Sequence, residues 1–234
     1  MSQTALALIS GGLDSCTALA VAKEEGYEIS RAVTVLYGQR HDREISSAQA
    51  VAAYYAIPHD VVECDLAAVC RSGSALLNPE EPLPIDRALS AMTARVPRTY
   101  VPGRNTIMLA IAQSIAEVYE LDYIITGFNA VDFSGYPDCR PIFVSAWNHL
   151  ARYATRRGYQ DNKPIQVYAP IINKSKASVV ALASELQAPI DLTWSCYAGG
   201  ELACGRCDSC RIRLDAFKEN HLTDPIEYEE AASA

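Results

Sequence analysis

Near its start the chain carries an aliphatic run, Ala5-Leu6-Ala7-Leu8-Ile9, that stops at Ser10 and passes through two adjacent glycines. It then restarts as Leu13-Asp14-Ser15-Cys16-Thr17-Ala18, a helix-compatible stretch. A strand that gives way to a helix across glycines aims several backbone N–H groups and the positive helix end at one point, where phosphate oxygens bind. Adjacent glycines let the backbone close around such a ligand without a Cβ clash, and the hydroxyls of Ser10 and Ser15 add donors. Two glycines alone would suit an ordinary strand-to-helix turn; the serine before them and the Asp-Ser after them favour the anion site. The loop has no lysine and lacks Walker spacing, which argues against an NTPase that cradles a γ-phosphate. The candidate phosphate-loop residues with their flanks are Leu8, Ile9, Ser10, Gly11, Gly12, Leu13, Asp14, Ser15, Cys16, Thr17 and Ala18.

Around that junction the first third alternates strand-like and helix-like runs at 5–9, 14–24, 32–36, 43–55 and 61–64. This is the βαβαβ pattern of a parallel sheet covered on both faces. Further on, the spacing predicts a helix over 104–119, a strand over 123–126, a helix over 144–157, a strand over 166–168 and a helix over 176–186. At 234 residues the chain is near the upper end of what one core supports, so the expected organisation is an α/β domain at 1–190 with a small appendage at 191–234.

Half the residues are hydrophobic and 21% are charged, which leaves no room for long disorder. The aliphatic runs at 5–9 and 107–111 are far shorter than a bilayer span, so no membrane crossing is expected. Met1-Ser2-Gln3-Thr4 lacks the basic start and apolar stretch of a secretory signal, which makes the cytoplasm the expected location. A net charge of −8 argues against a protein that coats nucleic acid, so an anionic ligand has to meet a local cluster of cations or amides. Between 72 and 101, Pro79, Pro82, Pro84 and Pro97 interrupt any regular element and predict a surface excursion, either a lid or a tolerated insertion. The tail from His221 onward, acidic at Asp224, Glu227, Glu229 and Glu230, is expected to pack only at its start.

Cys204, Cys207 and Cys210 form two overlapping Cys-x-x-Cys steps, and Cys196 lies eight residues before the first of them. Eight cysteines in a cytosolic chain read as thiols or metal ligands before disulfides. Four thiolates within fifteen residues can surround a zinc ion tetrahedrally, with Gly199, Gly200 and Gly205 allowing the tight turns. A site closed in this way staples a loop to the core and leaves no position open for catalysis, so its loss is expected to unfold that region before it touches the chemistry. An iron–sulfur cluster is the rival. Cys16, Cys64 and Cys70 lie in apolar surroundings and read as inert core thiols.

Two middle segments join the candidate site. Val101-Pro102-Gly103-Arg104-Asn105 places a guanidinium and an amide at the start of the long helix. Gly127-Phe128-Asn129-Ala130-Val131-Asp132 follows a strand, and Ser134-Gly135-Tyr136-Pro137-Asp138-Cys139-Arg140-Pro141 continues it. Parallel sheets bind ligands at the carboxyl ends of their strands, so both segments are expected to face the glycine loop. Taken singly, each polar residue suits a turn or the surface equally well.

The hexapeptide at 10–15 resembles the SGGxDS signature of the PP-loop ATP pyrophosphatases, matched without a departure. Those enzymes activate a carboxyl or carbonyl oxygen with an adenylyl group. Tyr37-Gly38-Gln39-Arg40-His41, the two middle segments, Thr193-Trp194-Ser195-Cys196-Tyr197 and the cysteine spacing extend the likeness. From the first strand to Tyr228 the chain resembles the 7-cyano-7-deazaguanine synthase family of the queuosine precursor pathway.

The resemblance implies an adenine nucleotide alpha hydrolase-like, Rossmann-like parallel sheet with a small C-terminal zinc-binding subdomain. It implies a cytoplasmic homodimer with ATP, Mg2+ and Zn2+ as cofactors, a small-molecule substrate, 7-carboxy-7-deazaguanine, with ammonia, and neither nucleic acid nor membrane as partner. Asp14, Lys176 and Arg104 become the catalytic candidates. Tyr37, Gln39, Arg40, Arg104, Asn105, Gly127, Asn129, Asp132, Tyr136, Asp138 and Arg140 become the substrate-binding ones, and Cys196, Cys204, Cys207 and Cys210 the metal ligands. By residue type, Asp132 or Asp138 would accept from the guanine-like edge, and Tyr37 or Tyr136 would stack on the ring. Two departures stand out. Arg140-Pro141-Ile142-Phe143 has isoleucine where the family usually has glutamate, and Lys174-Ser175-Lys176 replaces a Leu-Thr-Lys run.

The reaction so implied is attack of the substrate carboxylate on the α-phosphate of ATP, displacement of AMP by ammonia, and a second activation on the amide oxygen that yields the nitrile. The family's equation is often written with ADP and phosphate instead. Free ammonia is the expected donor, since no second domain large enough to hydrolyse glutamine is present in the sequence. A tRNA-thiolating relative would need a basic face, which a pI near 5.0 opposes. A relative that attaches a deazaguanine to a protein would need a polypeptide groove. A zinc-ribbon interaction module would leave the glycine loop unexplained.

Overall fold

A strand covered on both faces has to be apolar along its length, and the first aliphatic run meets that requirement. In the computed structural model, which describes residues 3–70, 73–88, 92, 96–129 and 136–229, it forms the middle of a five-stranded sheet. The strands are β1 (Gln3–Leu8), β2 (Tyr27–Leu36), β3 (His59–Glu63), β4 (Tyr123–Ile125) and β5 (Gln166–Tyr168), in the order β3-β2-β1-β4-β5. All four pairings are parallel. Side chains of β1 alternate between two cores, as a period of two requires. Ala5 and Ala7 join a cluster with Leu19, Val51, Val179 and Phe217, and Leu6 joins one with Leu109, Ile124, Trp147 and Val167.

The helices sort by those clusters. α1 (Leu13–Glu24), α2 (Arg43–Tyr54), α5 (Lys176–Glu185) and α6 (Asp208–Glu219) cover one face, and α3 (Arg104–Val118) and α4 (Pro141–Ala154) the other. Among the described residues no helix is long and apolar enough to cross a membrane.

Three expectations change. The helix predicted over 144–157 starts at Pro141, because proline at the first helical position lacks an N–H that has no partner there anyway. It ends at Ala154, where Thr155 turns extended and its hydroxyl accepts from Gly158 N to start a separate turn, Arg156–Tyr159. The proline-rich excursion is not all surface: Ser74, Ala75, Leu76 and Leu77 are buried, and the two leucines pack with Tyr37, Leu66 and Val101. Arg40 fastens it by donating to the carbonyl oxygens of Asn78 and Glu81. The acidic tail packs well beyond its start, through Glu229, whose N–H donates to Ala203 O at 2.9 Å. Its Asp224 is held by buried Arg213 at 2.7 Å, which is why an acidic segment stays down.

Candidate active site at the switch point of the sheet

β1 has β2 on one side and β4 on the other, so the order in which strands are added reverses there and a crevice opens at the strands' carboxyl ends. Residues from the ends of β1, β2 and β4 line a cavity of about 230 Å³ at that point, among them Ser10, Gly12, Asp14, Ser15, Thr34, Tyr37, Gly127 and Phe128. The glycine loop is folded on itself by its own hydroxyls. Ser15 Oγ donates to Gly12 O at 3.0 Å and accepts from Ser10 N at 3.2 Å. Gly11, at φ +78°, lies so close to α2 that a Cβ would fall 2.2 Å from Glu44 O. A Cβ on Gly127 would fall 2.6 Å from Ser15 N, so the end of β4 also seats directly on the loop.

Lys176 opens α5 and reaches back 162 residues to Asp14 in the first turn of α1, with Nζ 2.6 and 2.5 Å from the two carboxylate oxygens. Ser175 sets its direction by capping α5, its hydroxyl accepting from Ser178 N at 3.2 Å. Serine and threonine both cap in this way, so the family's threonine is replaced here without loss of function as a cap. Across the cavity, Arg104 opens α3 between two tyrosine rings, 5.4 Å from the Tyr37 centroid and 5.7 Å from that of Tyr136. Burial pushes the Tyr37 hydroxyl up to about 12. The same burial lifts the Glu44 carboxyl to about 7, against the pull of Arg104.

Of the phosphate-loop residues, Leu8, Ile9, Ser10, Gly12, Leu13, Asp14 and Ser15 line the cavity; Gly11 packs on α2, and Cys16, Thr17 and Ala18 point into the core. Arg104, Lys176, Tyr37, Gln39, Asn105, Gly127 and Tyr136 are brought together there. Arg40, Asn129, Asp138 and Arg140 do not line it, and Asp132 lies outside the described residues. Asp138 is occupied with the start of α3, accepting from Asn105 N at 3.1 Å. The cavity lining also contains Glu44, Ser209, Ile212 and Arg213, which sequence reasoning passed over, and Trp194, Ser195 and Tyr197, which it quoted for the family likeness without giving them a place in the site. Nothing in the sequence marked Glu44, an acidic residue in the first turn of α2.

The family model described as Queuosine biosynthesis protein QueC matches residues 4–221. The chain belongs to this family. The 7-cyano-7-deazaguanine synthase of Nostoc punctiforme is 47% identical over 225 residues, covering 96% of this chain and 99% of that one. That of Synechococcus elongatus is 48% identical over 216 residues, covering 92% and 90%. Among solved structures, the NMN synthetase of Francisella tularensis is similar at 14% identity and a TM-score of 0.49, covering 95% of this chain and 78% of that one.

Membership in the QueC family makes the chain an enzyme of queuosine biosynthesis and directs attention to its cysteines. Cys196, Cys204, Cys207 and Cys210 gather with all four sulfurs within 4.8 Å of one another, a group able to hold a metal ion. Backbone N–H groups already point at them: Cys204 N donates to Cys196 Sγ and Cys207 N to Cys204 Sγ, each at 3.3 Å. Cys16 is buried as expected, whereas Cys64 and Cys70 are only half-buried against the Tyr37 cluster. The family's usual glutamate position, Ile142, is 72% exposed and outside the cavity lining, so its replacement removes nothing from this site.

Proposed function

We propose that this cavity converts 7-carboxy-7-deazaguanine and ammonia to 7-cyano-7-deazaguanine at the expense of ATP, the substrates that the relatives' names and the glycine loop together suggest. What supports the reading most is that one cavity is lined by the phosphate loop, by the Lys176–Asp14 pair and by Arg104 between two tyrosines. A carboxylate is a poor electrophile because its charge repels nucleophiles and oxide cannot leave. Binding its oxygen to phosphorus supplies a leaving group, and the protein's share is positioning and charge stabilisation.

In this assignment the N–H groups of the glycine loop and the hydroxyls of Ser10 and Ser15 hold the pyrophosphate. Lys176 stabilises charge on the transferring phosphate once Asp14 releases it, and Arg104 holds the substrate carboxylate. Tyr37 and Tyr136 confine the ring. Asp14 is the carboxylate fitted to hold magnesium, which would neutralise charge on the phosphates when bound. Four thiolates at zinc–sulfur bond lengths of about 2.3 Å sit roughly 3.8 Å apart, so the observed grouping fits zinc, with no position left for water. Purified protein given ATP, ammonium and the carboxylate should release the nitrile, read by mass; no nitrile with intact protein would end this reading.

A further inference from the structure

Ammonia reaches a neutral active site mostly as ammonium, which has no lone pair to attack with, so some group in the cavity has to accept a proton. Two carboxylates belong to the lining among the described residues, Asp14 and Glu44. Asp14 pairs with Lys176 at 2.5 and 2.6 Å and is the carboxylate assigned above to magnesium. The Glu44 carboxylate has no ion-pair or hydrogen-bond partner among the described residues.

We propose that Glu44 binds ammonium and takes its proton, delivering ammonia beside the activated carboxyl carbon; this inference rests on the nitrile-forming reading. Glu44 is the second residue of α2, and its own carbonyl oxygen is pinned against Gly11 of the phosphate loop. Its side chain faces Arg104 from α3 and Tyr37 from the segment after β2. Tyr136, Tyr197 and Cys139 face Arg104 in turn, and the Asp14–Lys176 pair with Arg213 completes the charged and titratable lining among the described residues. The main chain of Glu44 is fixed against the phosphate loop while its carboxylate lines the same cavity and faces the arginine assigned to the substrate carboxylate, which puts a base beside the proposed site of bond formation. Its value of about 7 gives both protonation states near neutrality, as a general base needs.

The step balances as follows in atoms and charge. Ammonium gives one proton to the Glu44 carboxylate, leaving ammonia and a carboxylic acid. The nitrogen lone pair forms the C–N bond while the C–O bond to AMP breaks, its electron pair leaving on the phosphate. The proton that nitrogen sheds in becoming an amide goes to that phosphate or to water.

The test uses Glu44→Gln, which keeps shape and removes the base, with Glu44→Asp as the variant that keeps it. Amide formation is followed against ammonium at pH 6 to about 9, beside the KM for ATP and a thermal melt. For E44Q the KM for total ammonium should rise about 100-fold at pH 7 and fall about tenfold per pH unit as free ammonia increases, with the KM for ATP unchanged. E44D should recover much of the loss. A wild-type ammonium dependence and pH profile in E44Q would overturn the assignment, and so would joint loss of ATP affinity and rate that neither free ammonia nor E44D relieves. A wild-type protein that makes neither amide nor nitrile would overturn the nitrile-forming reading, and this inference with it.

Discussion

The phosphate loop and the cysteine segment each run through glycines into the N-terminus of a helix, α1 in one case and α6 in the other. They are held in place by different forces. The loop hangs between β1 and α1, whose neighbours Leu6, Ala18, Leu19 and Ala22 are nearly inaccessible to solvent, so the hydrophobic core holds it without help. The cysteine segment packs a far smaller cluster, with Trp194, Ala203, Ile226 and Tyr228 around the four thiols. A cluster of this size opposes the loop's conformational entropy only weakly, so a metal held by the four thiols, as proposed above, would order it by cross-linking. Yet the two are not independent. Trp194 N donates to Gly11 O at 2.9 Å, and the segment forms one wall of the cavity. The cysteine spacing by itself predicts that metal loss unfolds this region before it touches the chemistry; the shared wall predicts instead that both fail together.

Removing the metal, or Cys207→Ser, should act hardest. Metal binding contributes folding free energy on the order of 10 kcal/mol at neutral pH, so the segment should unfold and nitrile formation should fall with it. Circular dichroism and turnover, followed together during chelation, would show whether the wall and the chemistry fail at one chelator concentration. Elemental analysis and an absorbance spectrum decide the metal: about one zinc and a colourless protein are expected, and stoichiometric iron with sulfide would replace zinc by a cluster.

Arg213→Ala should come next. Arg213 and Asp224 have side chains only 2% exposed, and removing one partner strands a buried charge, which costs about 3–5 kcal/mol. A denaturant melt on the metal-loaded protein measures it. If the loss is below about 1 kcal/mol, the size expected of a surface pair, the tail contributes little to holding the wall.

Lys176→Ala probes the other region. Loss of one preorganised charge donor should lower kcat about 10² to 10³-fold while the melting temperature barely moves, because its partner Asp14 opens onto the cavity. Gly12→Val should also lower kcat, since a Cβ there falls 3.3 Å from Ser10 Oγ and 3.6 Å from Trp194 O, clear of α2 but within the phosphate loop itself. Normal turnover in both variants would remove the glycine loop from the reaction.

The smallest effect is Ser175→Ala, which deletes the cap that aims Lys176 and should cost about 1 kcal/mol in stability with a modest fall in kcat. Ser175→Thr should restore both.

The centre of the sheet was legible because a strand buried on both faces, such as β1, carries an uninterrupted apolar run, and the glycine loop because a hexapeptide holds it locally. Arg104, Tyr37 and Tyr136 could be read from their position after strands or at a helix start. Glu44 could not, since a glutamate in the first turn of a helix ordinarily complements the helix dipole in solvent. Arg213 sits in the polar stretch Arg211-Ile212-Arg213-Leu214-Asp215, and its burial depends on Asp224 returning from the tail. Arg40 and Asp138 look like ligand-binding residues by type, but tertiary contacts assign them to the excursion and to the cap of α3.

Carboxylate activation by ATP can be followed through the oxygen itself. The acid labelled with ¹⁸O in its carboxyl group, incubated with ATP, ammonium and the protein, should place label in AMP as the amide forms. Label in inorganic phosphate with ADP would move the attack to the γ-phosphate, and nitrile formation with label in neither nucleotide nor phosphate would contradict activation through phosphorus altogether.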